Sequence, residues 1–163
     1  MDRIIDAAAY VIRRYREISG ENLSETKLHK LLYFTQRESF AITGSPAFSG
    51  EFEGWKFGPV CKEVRANFFN GQLLVKTQDI SEGLQYIINN VILEYGSLTA
   101  WKLSDLSHRD ISWRNSRRGL SADDIGNVPL SNDDIKKDAA KVRPYDHVWD
   151  MYYDEFDDEV TDS

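Results

Sequence analysis

Apolar residues recur at intervals of three and four along much of this chain, which is the spacing of one helix face. Three such stripes stand out, at residues 4–18, 28–35 and 84–95. A glycine follows the first and third stripes, and Ser24 precedes the second in the position of an N-cap. A chain of 163 residues accommodates these helices around one core. We therefore predict a mainly α, compact multi-helix domain over residues 1–149.

A short β element is predicted within this helical pattern. Aromatic side chains alternate imperfectly along residues 48–57, after the helix-breaking segment 43–46, which indicates a short β-hairpin or strand. Gly58 is disfavoured in a helix before a proline, whereas Pro59 suits the first turn of one. We therefore expect a helix to begin at Pro59 and to end at Asn70-Gly71.

The second half of the sequence predicts further helices. Ser97 is placed to cap one of them, and residues 112–118 are predicted to form a short helix around Trp113. Ser131, with an acidic residue three positions later, resembles a capping arrangement for the next. A last amphipathic helix is predicted at residues 148–156.

The net charge of −7 is concentrated at one end of the molecule. Residues 150–163 carry acidic side chains but no Lys or Arg, whereas residues 1–149 are balanced. We interpret 150–163 as an acidic C-terminal tail that either aids solubility or docks on a basic partner. Because acidic groups repel phosphate, nucleic acid is not an expected partner.

The composition is that of a globular protein, with 41% hydrophobic and 29% charged residues. No apolar run approaches the ~20 residues needed to cross a bilayer, and acidic residues interrupt the first apolar stretch, unlike a signal peptide. We expect a cytoplasmic protein without a membrane partner. The single cysteine, Cys61, excludes an internal disulfide, and we expect it to be a buried core thiol.

Signatures of catalysis and of cofactor binding are missing from the sequence. The glycines do not form a phosphate-cradling loop, and the three histidines lack metal-ligand spacing. The nearest acid–base arrangement is His108 with Asp110, since a carboxylate orients an imidazole. The Ser-His-Arg-Asp sequence at residues 107–110 is also typical of side chains that donate hydrogen bonds to carbonyl groups at a helix end, and we favour this interpretation. We predict no catalytic residues, no metal and no cofactor, and therefore a binding protein rather than an enzyme.

Candidate binding residues lie in the second stripe and beside the predicted turn. Lys30 and Tyr33 lie near the borders of their apolar stripe, so we expect their tips to reach solvent or a partner. Trp55 and Phe57 are either core residues of a strand or exposed interface anchors next to a rigid turn.

Three segments taken together resemble the Panacea domain, also called the SocA-like antitoxin domain. They are residues 28–34 (Leu28-His29-Lys30-Leu31-Leu32-Tyr33-Phe34), 52–60 (Phe52-Glu53-Gly54-Trp55-Lys56-Phe57-Gly58-Pro59-Val60), and 103–108 (Leu103-Ser104-Asp105-Leu106-Ser107-His108) with Trp113. The resemblance covers roughly residues 5–140. Ser107 and Ser112 depart from the Thr and Pro that the family usually has there, and neither change removes a charge. The motif positions that the resemblance marks as scaffold or partner-binding residues are Lys30, Tyr33, Trp55, Lys56, Phe57, Gly58, Pro59, His108 and Trp113.

The resemblance also implies a function. It implies an antitoxin that neutralises a cognate protein toxin, encoded by a neighbouring gene, through direct contact in a toxin–antitoxin or phage-associated setting. A second route implied by the family is that of a proteolytic adaptor, which delivers the toxin to a protease. A third hypothesis, a nucleic-acid-binding regulator of its own operon, is disfavoured by the charge balance.

Overall fold

The computed structural model describes residues 1–142. Within that range the protein forms seven helices and two small antiparallel strand pairs. The helices are α1 (Ile4–Ser19), α2 (Glu25–Thr43), α3 (Lys62–Asn67), α4 (Glu82–Tyr95), α5 (Ala100–His108), α6 (Ile111–Ser116) and α7 (Asn132–Ala139). The strands are β1 (Glu53–Trp55), β2 (Gly58–Val60), β3 (Phe68–Phe69) and β4 (Gln72–Leu73). The prediction of a mainly α fold with a short hairpin is confirmed. The helix predicted at 148–156 and the acidic tail lie outside the described residues.

Helix α2 runs through the middle of the fold and packs against α1, α4, α5, α7 and β2. It begins as predicted at the Ser24 cap, whose Oγ accepts a hydrogen bond from the Lys27 amide at 3.2 Å. Because neighbours surround the helix, every residue from 28 to 40 is buried, polar ones included. The expectation that Lys30 and Tyr33 reach solvent is therefore wrong, since their exposed fractions are 2% and 0%.

One apolar core joins the helices. It extends from Ile4 in α1 to Ala139 in α7 and includes the predicted stripe of α4. Side chains such as Leu28 and Ile88 are fully buried, and each such burial stabilises the fold by roughly 1.5–3 kcal/mol. The predicted cap of α7 is also present, because Ser131 Oγ accepts a hydrogen bond from the Asp134 amide at 3.1 Å.

The β1–β2 hairpin turns through two residues, Lys56 and Phe57, so that Trp55 faces Gly58. The loop after α6 runs along the other edge of β1, where the Leu130 amide donates to the Phe52 carbonyl at 2.8 Å. Pro59 lies in β2, so the predicted helix start at this residue is wrong, and α3 begins only at Lys62. Among the described residues β2 pairs on one side only, a position that a proline without an N–H tolerates.

A second, smaller hairpin follows α3. Asn70 and Gly71 both have positive φ, 49° and 81°, and they form the turn between β3 and β4, as Asn-Gly pairs commonly do in two-residue hairpins. The prediction that this pair ends the preceding helix is therefore wrong, because α3 already ends at Asn67.

Candidate functional site

A cleft of about 330 Å³ opens between α2, the β1–β2 hairpin and α3. Its walls come from separate stretches of the sequence and combine cationic, acidic, aromatic, aliphatic and hydroxyl side chains. We call it the α2–hairpin cleft and define it by its lining: Glu25, Thr26, His29, Lys30, Trp55, Lys56, Phe57, Val60, Arg65 and Ile125.

Lys30, a buried residue of α2, lines this cleft. The end of its side chain lies against Gly58, since a Cβ built on that glycine would be 3.1 Å from Lys30 Cε. Burial lowers the pKa of Lys30 to about 8, because a low-dielectric environment disfavours the charged form. Within residues 1–142 no carboxylate and no hydrogen bond offsets this effect. Lys30 is therefore a buried ammonium without a counter-ion among the described residues.

Gly58 allows the hairpin to approach both α2 and α5. Its φ of 129° is a conformation that side-chain-bearing residues rarely adopt, and an added Cβ would also lie 2.9 Å from Ser107 Oγ. The turn is held to α5 by the Ser104 hydroxyl, which donates to the Phe57 carbonyl at 2.6 Å. The glycine is thus required both by backbone conformation and by space.

A histidine and an arginine hold the one carboxylate in the cleft lining. His29 Nδ1 accepts a hydrogen bond from the Cys61 amide at 3.2 Å, so Nε2 carries the ring proton. That nitrogen donates to Glu25 Oε2 at 3.0 Å, and Arg65 Nη1 donates to the same oxygen at 3.0 Å. Burial lowers the pKa of His29, although Glu25 opposes the effect. The Glu25 carboxylate is therefore engaged by His29 and Arg65.

Aromatic rings form the outer wall of the cleft. Trp55 is half-buried, its Nε1 donates to Glu53 Oε1 at 2.9 Å, and the Arg65 guanidinium lies 5.1 Å from its ring centroid. Phe57, at the tip of the turn, is 58% exposed. Trp55 thus falls between the two predicted alternatives of core residue and exposed anchor, and Phe57 is accessible to a partner.

His108 and Trp113 support the hairpin from behind. Their rings stack with centroids 3.9 Å apart, and Trp113 Nε1 donates to the Trp55 carbonyl at 2.8 Å. Burial lowers the pKa of His108, and the positive charge of Lys30 acts in the same direction. The residues around His108 were expected to satisfy carbonyl groups at a helix end. Ser107 does so in part, since its hydroxyl donates to the Ser104 carbonyl at 2.8 Å.

Asp110 belongs to a different cluster, on another side of α2. Its Oδ2 accepts hydrogen bonds from the Tyr33 hydroxyl and from Arg37 Nη1, the latter at 2.9 Å. Arg37 Nη2 also donates to the Tyr95 hydroxyl at 3.0 Å. These bonds connect α2 to α4 and to the start of α6 inside the core. Tyr33 is therefore placed by the structure in a buried polar network rather than in the cleft.

The predicted site residues thus separate into three groups. Lys30, Trp55, Lys56 and Phe57 line the α2–hairpin cleft. The supporting layer, beneath or behind the cleft, contains Gly58, Pro59, His108 and Trp113. Tyr33 lies apart from both groups.

Six lining residues were not among the predicted site residues: Glu25, Thr26, His29, Val60, Arg65 and Ile125. Glu25 and His29 lie four positions apart on one predicted helix, a spacing that places their side chains next to each other. The sequence gives no comparable indication for the other residues of this set. Residues 1–142 contain no cluster of three or more His, Cys, Asp or Glu side chains suited to a metal ion. None of the helices described is both long and apolar enough to cross a membrane.

Comparison with known proteins supplies the family. Residues 28–114 match the family described as "Antitoxin SocA-like, Panacea domain". The protein is also similar to Antitoxin SocA of Caulobacter vibrioides (strain NA1000 / CB15N), with 30% identity over 107 residues. That alignment covers 53% of this sequence and 55% of the relative, so it spans about half of each protein. No solved structure matches the sequence. On the strength of the match to residues 28–114, this protein belongs to the SocA-like antitoxin family with a Panacea domain.

Proposed function

We propose that this protein is an antitoxin that binds a cognate protein toxin, the product of a neighbouring gene, and neutralises it by direct contact in the cytoplasm. The observation that carries the proposal is the position of the family match. Residues 28–114 include the side chains that give the α2–hairpin cleft most of its lining: His29, Lys30, Trp55, Lys56, Phe57, Val60 and Arg65.

The form of the cleft supports recognition of a protein. It presents an exposed aromatic ring at Phe57, a half-buried Trp55 and an arginine, Arg65, within one small area. Trp, Tyr and Arg are the residues most enriched among those that dominate binding energy at protein interfaces. The proposed activity is therefore binding, without a chemical step.

Co-expression tests this function. The neighbouring open reading frame is induced alone and together with this protein, and growth, toxin abundance and co-purification are measured. We expect growth to be restored, toxin abundance to be maintained, and the two proteins to elute together in a fixed ratio. Rescue with a marked fall in toxin abundance would indicate delivery to a protease instead. Failure of both rescue and co-purification, with both proteins soluble, would refute the proposal.

A further inference from the structure

Lys30 is buried in the cleft and has no counter-ion within residues 1–142. Lysine side chains are almost never fully buried unless they are paired, and an isolated buried charge is costly. Lys30 is nevertheless 2% exposed, and the carboxylate in the cleft lining, that of Glu25, is engaged by His29 and Arg65. A site with a buried ammonium and no counter-ion within residues 1–142 is suited to an anion supplied from outside that range.

The other charges around the cleft favour an anion as well. Lys56 adds positive charge at the rim, and within residues 1–142 its one ion pair is a contact of 3.5 Å with the highly exposed Asp123. Surface pairs of this kind contribute little. The charge of Arg65 is balanced by Glu25.

The walls restrict what kind of anion fits. Trp55, Phe57, Val60 and Ile125 provide apolar surface around the charge, and a volume of about 330 Å³ is at the small end of ligand sites. One or two side chains fill such a space. A nucleic-acid backbone instead requires several cationic groups spread along a face.

We propose that the α2–hairpin cleft receives a carboxylate of the partner protein, from an Asp, a Glu or the partner's terminal carboxyl group next to an aromatic or branched apolar side chain, with Lys30 as its counter-ion. This inference rests on the proposed function, because the partner is the toxin of that proposal. The apolar neighbour packs between the Trp55 and Phe57 rings and Val60, while the carboxylate reaches the ammonium. Removal of one partner of such a buried charge pair speeds dissociation, whereas removal of a rim charge mainly changes the association rate.

A direct test uses the full-length protein and a small probe. N-acetyl-L-phenylalanine carries a carboxylate beside an aromatic ring, and its amide is the matched neutral control. The Lys30 Cε resonance is followed by NMR as a function of pH, with Glu25, His29, Lys56, Arg65 and His108 as the other titratable or charged groups around it. We expect the acid to raise the Lys30 midpoint above about 8 and to shift the Trp55 indole resonance, whereas the amide does neither.

Three results of this experiment would overturn the inference. The first is equal binding of acid and amide. The second is an equal response to inorganic phosphate, which would indicate a phosphate-bearing ligand. The third is a Lys30 midpoint close to the ordinary lysine value without any probe, which would refute the premise that the ammonium is unpaired. A midpoint that then depends on protein concentration would point to a second copy as the partner, and one that does not would point to the same chain.

The complex with the toxin provides the second test. Lys30→Met keeps the length of the side chain and removes its charge, and Lys102→Met on the exposed face of α5 is the matched control. We expect Lys30→Met to weaken toxin binding about 30-fold or more, mainly through faster dissociation, and the control to stay within about twofold. If wild-type protein binds the toxin and Lys30→Met binds within twofold of it, the inference fails and the proposed function stands. If wild-type protein does not bind the toxin, the proposed function fails, and the probe experiment still decides whether the cleft takes carboxylates.

Discussion

Replacing Lys30 by methionine should stabilise the free protein at neutral pH. The pKa of this ammonium is lowered to about 8 by burial, and the ordinary lysine value is about 10.4. Since one pKa unit corresponds to about 1.4 kcal/mol, the buried charge costs the folded state roughly 3 kcal/mol. Methionine has similar length and no charge, so we expect Lys30→Met to raise the free energy of unfolding by roughly 2–3 kcal/mol at pH 7.

The pH dependence of this gain identifies its cause. The folded protein holds the Lys30 proton less tightly than the unfolded protein does, so the penalty is complete below pH 8 and disappears above about 10.4. Urea denaturation of wild-type protein, Lys30→Met and Lys102→Met at pH 7 and at pH 10 measures it, and the Lys102 variant controls for the loss of an exposed lysine. The stabilisation should be largely lost at pH 10 and absent from the Lys102 control. A variant less stable than wild type at pH 7, or a gain independent of pH, would refute the reasoning.

Three further predictions concern the surroundings of the cleft. Gly58→Ala should lower the free energy of unfolding by about 2 kcal/mol or more, because φ is 129° and the new Cβ meets Ser107 and Lys30. The control Gly44→Ala, at φ 75° in open space, should cost about 1 kcal/mol in the same thermal melts. Equal costs for the two variants would show that crowding at Gly58 contributes nothing. Trp55→Ala should cost about 1–2 kcal/mol in urea, less than the 3–5 kcal/mol of a fully buried tryptophan, because the ring is half-buried; a variant that fails to fold would contradict it. Since burial lowers the pKa of His29, stability should be complete above pH 6.5 and fall as the pH drops below it, and His29→Asn should flatten this loss in melts between pH 7 and pH 5.

Helices α1, α2, α4 and α7 could be predicted because local rules determine them. The apolar stripes indicated α1, α2 and α4, and capping serines indicated the starts of α2 and α7. Periodicity also implies one buried face and one exposed face, and for α2 this implied exposure is wrong. That helix has neighbours on all sides, so Lys30 and Tyr33 are buried. Whether a polar residue at a stripe's border meets solvent depends on elements far away in sequence.

The prediction of a helix start at Pro59 was wrong for a different reason. A proline has nearly the same φ in the first turn of a helix and in an extended strand, so local preference does not distinguish them. The pairing of β1 with β2 and the loop at residues 125–130 decide the outcome. The cleft was predicted in part, through Lys30, Trp55, Lys56 and Phe57. Arg65 and Ile125 join it only through the tertiary fold, which no spacing in the sequence encodes.

The position of the Lys30 charge links the stability of the free protein to binding. A ligand that binds only the folded state stabilises it, and one that supplies a counter-ion should also relieve the cost of the buried ammonium. Saturating toxin should therefore raise the free energy of unfolding of the wild-type protein more than that of Lys30→Met. The difference should be comparable to the stability that the Lys30→Met substitution adds in the absence of toxin. Melting of both proteins with and without toxin at pH 7 measures the two differences on the same samples. Equal gains for the two proteins would show that Lys30 keeps its unpaired charge in the complex, and the ammonium would then have no role in recognition.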